Sequence, residues 1–302
     1  MGSLFQLEAK SIKFIKTIAL QKSTHNKTVA SFLLGDKKKG QAFNPVSICR
    51  INSHHICITD AMNGIVAIID NNGMWVKKIK RIKGFKLISP VSACTDDDGN
   101  LYVSDSAAQV ILQWDSHYKF EKIFIQMPDT RMTGILFSRG KFFALDTRNH
   151  RILCFDIHGT LLFSFGTRGS GDLKFNYPTH IAADENYLYI TDAMNFRVQI
   201  VTQQGKFVRS FGALGRGGGN FSKPKGVAVD SQQNIYVADA MFDNIQIFNT
   251  KGEFLYYFGG PGHQNGQFWM PGGIMTDSDN TIWVADTYNQ RLQIFKLQED
   301  TP

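Results

Sequence analysis

One segment recurs through the chain. ITDAMNFRVQIV reaches a strand end at Asp192, VADAMFDNIQIF repeats it at Asp239, and VADTYNQRLQIF repeats it at Asp286. Earlier copies are ITDAMNGIVAIID at Asp60, VSDSAAQVILQWD at Asp105 and ALDTRNHRILCFD at Asp146. The copies are spaced 41 to 47 residues apart. A steady period of that length marks one supersecondary unit that buries its apolar face only against its neighbours. Each unit reads the same way. A glycine-rich loop ends near a proline (GALGRGGGNFSKP), and a short apolar strand follows (GVAVD). A polar turn leads to a β-branched and aromatic strand (IYVAD), a loop leads to an alternating strand (IQIFN), and a fourth strand ends in Phe-Gly (FLYYFG). Four short strands separated by turn signals form one antiparallel sheet.

Six such sheets arranged radially make an all-β, six-bladed β-propeller of four-stranded antiparallel blades, which leaves only short edges. Composition agrees. The 302 residues include 24 Phe and 27 Gly but 8 Pro, as short strands and tight turns require. Hydrophobic residues at 43% and charged residues at 20% exclude bulk disorder, collagen and coiled coil. No run approaches the roughly 20 apolar residues of a membrane span.

The pattern also predicts how the ring closes. The sixth unit ends at RLQIFKL and lacks a fourth strand, while TVASFLLG near the N-terminus reads like FVRSFG and FLYYFG. Residues 28–34 are therefore expected to complete the last blade and remove the open seam. On this reading residues 1–27 are an N-terminal extension, 28–297 the propeller and 298–302 a tail. Within the extension, SIKFIKTIAL fits an extra edge strand or a short basic amphipathic helix, the strand being favoured by its β-branched run.

These residues resemble the NHL-repeat family, named for an Asn-His-Leu tripeptide. The cleanest copy is Asp146-Thr-Arg-Asn149-His150-Arg151-Ile-Leu, and Asp192 with Arg197 and Asp286 with Arg291 keep its five-residue offset. The resemblance covers roughly residues 28–297 and implies a six-bladed propeller. It also implies that the Asp and Arg of that offset bond within or between blades. Ile65, Val110 and Asn244 replace the Arg in the other units, so the tie is expected to be partial. A propeller by itself does not specify function.

Enzymatic relatives supply tests. The amidating lyase of this family holds zinc through three histidines, each immediately after the proline that opens an inner strand. Those positions here are Val46, Val91, Thr133, Thr179, Lys225 and Gly272. The next positions are Ser47, Ser92, Gly134, His180, Gly226 and Gly273, with one histidine. A catalytic zinc site needs three protein ligands. The calcium-dependent lactonases need Asp, Asn and Glu on the axis, where this chain offers Ser, Thr and Gly. The six repeat aspartates stand apart by rotation and read as turn acceptors. His54 and His55, flanked by Cys49 and Cys57, resemble a metal cluster. Adjacent strand residues point to opposite faces, however, and these cysteines sit in apolar runs. Cys49, Cys57, Cys94 and Cys154 make no disulfide framework. No GxSxG or GxxxxGK[ST] motif is present. The expectation is no enzyme, no catalytic residue, no metal and no cofactor. His180 is the one titratable oddity, read first as a hydrogen-bonded channel filler.

The formal net charge of +7 conceals a dipolar disc. Loops leading into the inner strands sum to +9, and the turns between first and second strands sum to −6. The basic contributors are Lys37, Lys38, Lys39, Arg81, Lys83, Lys86, Arg168, Arg216, Lys223 and Lys225. The same loops carry Phe43, Phe85, Phe175, Phe221 and Trp269, and Met62, Met194 and Met241 recur nearby. Either the aromatics plug between blades, or they join the cations in a contact surface. The favoured function is a non-enzymatic binding scaffold that engages a protein, of acidic character, through this basic face, with Trp269 and these cations as anchors. Single-stranded RNA binding is one alternative, since animal NHL domains of the tripartite-motif type use a positive face for RNA. A metal-dependent lyase or hydrolase at the axial channel is the other. The start Met-Gly-Ser-Leu carries no secretory pattern. An exported, periplasmic or extracellular protein with its signal removed is expected, with a cytosolic one as the alternative.

Overall fold

The computed structural model describes residues 10–20 and 42–299. Its strands form six four-stranded antiparallel sheets. The first strands of the six sheets are Ser47–Arg50, Pro90–Thr95, Met132–Ser138, Pro178–Ala183, Pro224–Val229 and Pro271–Thr276. Each packs on the next around a closed ring. We number the blades I to VI in that order. The second strands, from His55–Asp60 in blade I to Thr281–Asp286 in blade VI, are buried almost throughout. The fourth strands are partly exposed, as Leu161–Phe165 in blade III illustrates. Burial therefore peaks in the second and third strands and falls toward the rim and, as Pro178–Ala183 shows, toward the axis.

The core is divided into interface slabs rather than one centre. Between blades II and III, Tyr102, Phe124, Phe142 and Phe155 pack with Ile135 and Leu153. Between blades V and VI, Tyr236, Phe268, Ile274 and Phe295 do the same. Aromatic side chains suit this position because adjacent blades splay apart with distance from the axis, and a large ring fills the wedge. Phe175, Phe221 and Phe268 come from three successive inter-blade loops, and all are fully buried. The Phe-Gly ends of the fourth strands serve them. Gly259 has φ +93°, and a Cβ there would meet the Phe268 ring.

An N-terminal strand does close the ring, but it is a different one. Lys10–Ala19 pairs antiparallel with Arg291–Glu299 and supplies the fourth strand of blade VI. The expected segment 28–34 lies outside the described residues. SIKFIKTIAL succeeds because it serves two interfaces. Ile12 and Phe14 pack against the V/VI slab, where Phe14 meets Phe295 edge-on at 5.7 Å. The register shifts between Phe14 and Lys16. That bulge turns the following even-numbered residues to the other side. Ile18 and Leu20 therefore enter the VI/I slab, and Lys16 Nζ donates to Asn71 O at 2.7 Å. Ile18→Ala should lower the denaturant-derived stability by about 2–4 kcal/mol, because Ile18 is a buried aliphatic group at the closing seam. Ile15→Ala, on an exposed neighbour, should cost less than about 1 kcal/mol.

Candidate functional site

Every blade's second strand ends on an aspartate: Asp60, Asp105, Asp146, Asp192, Asp239 and Asp286. All six are fully buried. Burying a carboxylate without partners is costly, so each must be satisfied. Each accepts a backbone N–H from the loop that enters its own blade. The donors are Asn44 to Asp60 (2.9 Å), Ser89 to Asp105 (2.9 Å) and Arg131 to Asp146 (3.0 Å). They continue with Asn176 to Asp192 (2.6 Å), Lys223 to Asp239 (3.0 Å) and Trp269 to Asp286 (2.8 Å). The expected Asp–Arg tie is present where arginine is. Arg151, Arg197 and Arg291 donate through Nε at 3.0, 2.9 and 2.7 Å. Arg197 and Arg291 also reach loop carbonyls, so they fasten the inter-blade loop to the blade. Asp286→Ala leaves a half-buried guanidinium and several donors without an acceptor. It should cost about 3–5 kcal/mol in chemical denaturation.

The inter-blade loops and the turns between second and third strands share one face. On it Arg81, Lys83, Lys86, Arg168, Arg216 and Lys223 are exposed, as is Trp269. Lys37, Lys38 and Lys39 lie outside the described residues. Lys225 stands elsewhere: it is in the inner strand of blade V, half-buried beside His180. The aromatics divide. Phe43, Phe175 and Phe221 are buried plugs, whereas Phe85 and Trp269 are exposed. Sequence reading missed Tyr177, Leu214 and Tyr288, which are exposed beside the cations. Trp269 packs on Tyr288 with ring centroids 5.5 Å apart and on His263 at 5.4 Å. Met62, Met194 and Met241 are exposed on the same face.

On the opposite face several acids of the first turns are anchors rather than free charge. Asp96 accepts from Tyr102 Oη (2.9 Å), Asp184 from Tyr189 Oη (2.6 Å) and Asp230 from Tyr236 Oη (2.7 Å). Asp277 accepts from Trp283 Nε1 at 3.0 Å and pairs with Arg50 at 3.1 Å. A cavity of about 300 Å³ follows the axis, lined by the inner strands of all six blades, with Arg50, Cys49, Cys94 and His180 among its walls. At the loop-face end the backbones crowd together. A Cβ on Gly226 would lie 2.6 Å from Gly272 O, and one on Gly273 would lie 2.8 Å from Val46 O. Glycine therefore stands there because blades V, VI and I meet backbone to backbone.

His180 follows a bulge in the inner strand of blade IV, and its Nδ1 lies 3.1 Å from Thr179 Oγ1. Burial, helped by the nearby Lys225 amine, pushes its imidazole down to about 3. Lys225 is itself lowered by burial and by Lys223. The imidazole is thus neutral at ordinary pH and, among the described residues, lacks a carboxylate partner to orient it as a catalytic base. Elsewhere His55 Nδ1 lies 2.7 Å from Tyr118 Oη. Cys57 is buried, and burial pushes the Cys49 thiol up to about 12. Among the described residues no group of three or more His, Cys, Asp or Glu is placed to hold a metal, and no helix is long and apolar enough to cross a membrane.

Residues 268–295 match the NHL repeat, and residues 175–245 match a family described as a 6-bladed beta-propeller. The chain is a six-bladed propeller whose sixth blade carries an NHL repeat. No curated protein matches its sequence. Solved structures of similar fold include virginiamycin B lyase from Staphylococcus aureus, 16% identical with a TM-score of 0.61, covering 96% of this chain and 100% of that one. A gluconolactonase from Xanthomonas campestris is 13% identical with a TM-score of 0.65, covering 85% and 87%. An auxiliary nutrient binding protein from Bacteroides thetaiotaomicron is 14% identical with a TM-score of 0.67, covering 85% and 70%. At such identities the likeness is one of fold, and these propellers carry different activities.

The His180 shift has a measurable sign. Between its ordinary value of 6.5 and about 3, the unfolded chain binds a proton that the folded chain refuses. The stability from neutral His180 is complete above pH 6.5 and lost as pH falls toward 3, by about 1 kcal/mol per pH unit. His180→Asn should flatten the wild-type decline over that window in urea denaturation.

Proposed function

We propose that this NHL-repeat propeller is a non-enzymatic scaffold that engages a protein partner through its inter-blade loop face. One observation carries the reading. Large apolar side chains stand exposed on neighbouring loops of blades IV to VI: Tyr177, Met194, Leu214, Met241, Trp269 and Tyr288. Their blades are anchored below by buried carboxylates, so these residues are not loose ends of a poorly packed structure. Exposed apolar groups gathered on one face mark an interaction surface. Aromatic residues, Met and Arg are the types enriched at protein interfaces. Arg168, Arg216 and Lys223 lie among them, and Arg81, Lys83 and Lys86 extend the positive charge across the blade I–II loop. That charge favours a partner surface rich in Asp and Glu and speeds its approach.

The exposed rings of Trp269 and Tyr288 give a second reading some support, because exposed aromatics on a basic face also suit single-stranded RNA. A metal-dependent lyase or hydrolase at the axial channel draws less support, since its one imidazole is neutral and partnered by a hydroxyl.

The partner captured from the native source should lose affinity roughly tenfold to thirtyfold with Trp269→Ala. Reversing Arg81, Lys83 and Lys86 to Glu should slow association by about tenfold, an effect that fades with added salt. Surface plasmon resonance reads both. Unchanged binding by both variants would remove this face as the docking surface. RNA binding would instead appear as log K falling by roughly 0.7 per phosphate contact per unit of log salt.

A further inference from the structure

The position five residues after each buried aspartate opens the third strand. Arg197 is the register partner of Asp192, Arg291 of Asp286 and Asn244 of Asp239. The three positions are therefore equivalent. So are the loops above them. Parallel bridges join Arg168 to Phe175, Leu214 to Phe221 and Pro261 to Phe268. In each loop one N–H closes a turn: Lys174 onto Gly171 O (3.2 Å), Asn220 onto Gly217 O (3.0 Å) and Gln267 onto Gln264 O (3.0 Å).

In blades IV and VI a guanidinium fills the space beneath that turn. Arg197 Nη2 donates to Gly171 O and Lys174 O, both at 2.8 Å. Arg291 donates to His263 O, Gln264 O and Gln267 O, each at 2.8 Å. In blade V the side chain is Asn244, too short to make those contacts. A cavity of about 440 Å³ lies there instead, with Gly217, Phe242, Asn244, Gln246 and Tyr257 in its walls and Arg216 beside them. Asn244 Oδ1 is buried and makes no hydrogen bond among the described residues.

The carboxylate beneath has lost more than the arginine. Asn195 and Asn289 donate to their aspartates, but the matching residue in blade V is Phe242. The amide nitrogens of Gln199 and Gln293 donate to both the loop carbonyl and the carboxylate, whereas that of Gln246 donates to Asn220 O and not to Asp239. Asp239 is left with backbone donors: Ser222, Lys223, Met241 and Phe242. Burial and the nearby Asp286 and Asp239 raise the Asp243 carboxyl on the following turn. Blades I and II do not share the vacancy, because the arginine position there is filled by buried Ile65 and Val110.

We propose that this blade V cavity is a binding site for a guanidinium group, taken from an arginyl ligand in place of the arginine that the repeat lacks here. The planar fork of a guanidinium matches the acceptors that Arg197 and Arg291 already use, and a lysine ammonium does not. The site is independent of the partner-binding reading. Its ligand is either an arginine side chain of a peptide or free arginine.

Thermal unfolding of the whole chain tests it. The additives are Nα-acetyl-arginine amide, free arginine and Nα-acetyl-lysine amide, at millimolar concentration and matched ionic strength. A saturable rise in Tm of about 2–4 °C with the arginine amide, and little with the lysine amide, is expected. A rise with both arginine forms identifies a side-chain site, and a rise with free arginine alone identifies a small-molecule site. Asn244→Arg should fill the slot from within, raising Tm without additive and abolishing the response. Asn244→Leu should also abolish the response, which keeps the test decisive if the arginine variant does not fold. Arg216→Ala removes a like charge and should preserve or enlarge the response. No response to either arginine form, equal and non-zero responses to the arginine and lysine amides, a response that survives both Asn244 variants, or its loss in Arg216→Ala would overturn the proposal.

Discussion

Six carboxylates withdrawn from water hold this molecule together. A buried carboxylate tolerates no unmet demand, so the chain must bring donors to it from wherever they can be found. In each blade those donors come from separate stretches: the incoming loop, the turn after the second strand and, in blades III, IV and VI, the arginine that opens the third. The aspartate thereby fixes where the loop lands, which sets the start of the inner strand and so the packing of the ring. Aromatic wedges between blades supply much of the burial, but burial alone does not say where a loop of ten residues must lie. The carboxylates do.

The ring's other requirement is a seam. Because each blade needs a neighbour on both sides, the last strand of blade VI must satisfy blade V and blade I at once. Lys10–Ala19 does this with a single register shift. The strand presents Ile12 and Phe14 one way and Ile18 and Leu20 the other. An edge strand of uniform alternation could line only one of those slabs.

Blade number, strand order and the anchoring role of the aspartates were legible because they recur, and a repeat tests itself six times over. The closing strand was not, because it occurs once. TVASFLLG looks more like its counterparts FVRSFG and FLYYFG than SIKFIKTIAL does. The bulge that makes the latter work leaves no mark in a simple alternation of apolar and polar residues. Arg81, Lys83, Lys86, Arg168, Arg216 and Lys223 stand exposed, as their loop positions imply. Lys225 does not, since its neighbour Pro224 already begins the inner strand. The loop phenylalanines divided by a rule that is visible only afterwards. Phe175, Phe221 and Phe268 each follow a Phe-Gly pair by nine residues and are buried, whereas Phe85 belongs to a separate hairpin, Arg81–Ile82 with Phe85–Lys86. The vacancy beside Asn244 was half legible. The substitution was plain in the repeat, but an empty volume appears only once the neighbouring loops are placed.

The carboxylates grip their loops through main-chain N–H groups, and a main-chain N–H is the same for every residue except proline. The anchor therefore reads position and ignores identity. Side chains on the outer surface of these loops can be exchanged without disturbing the joint beneath them. A new recognition surface on such a frame needs only substitutions, with no change to the blades.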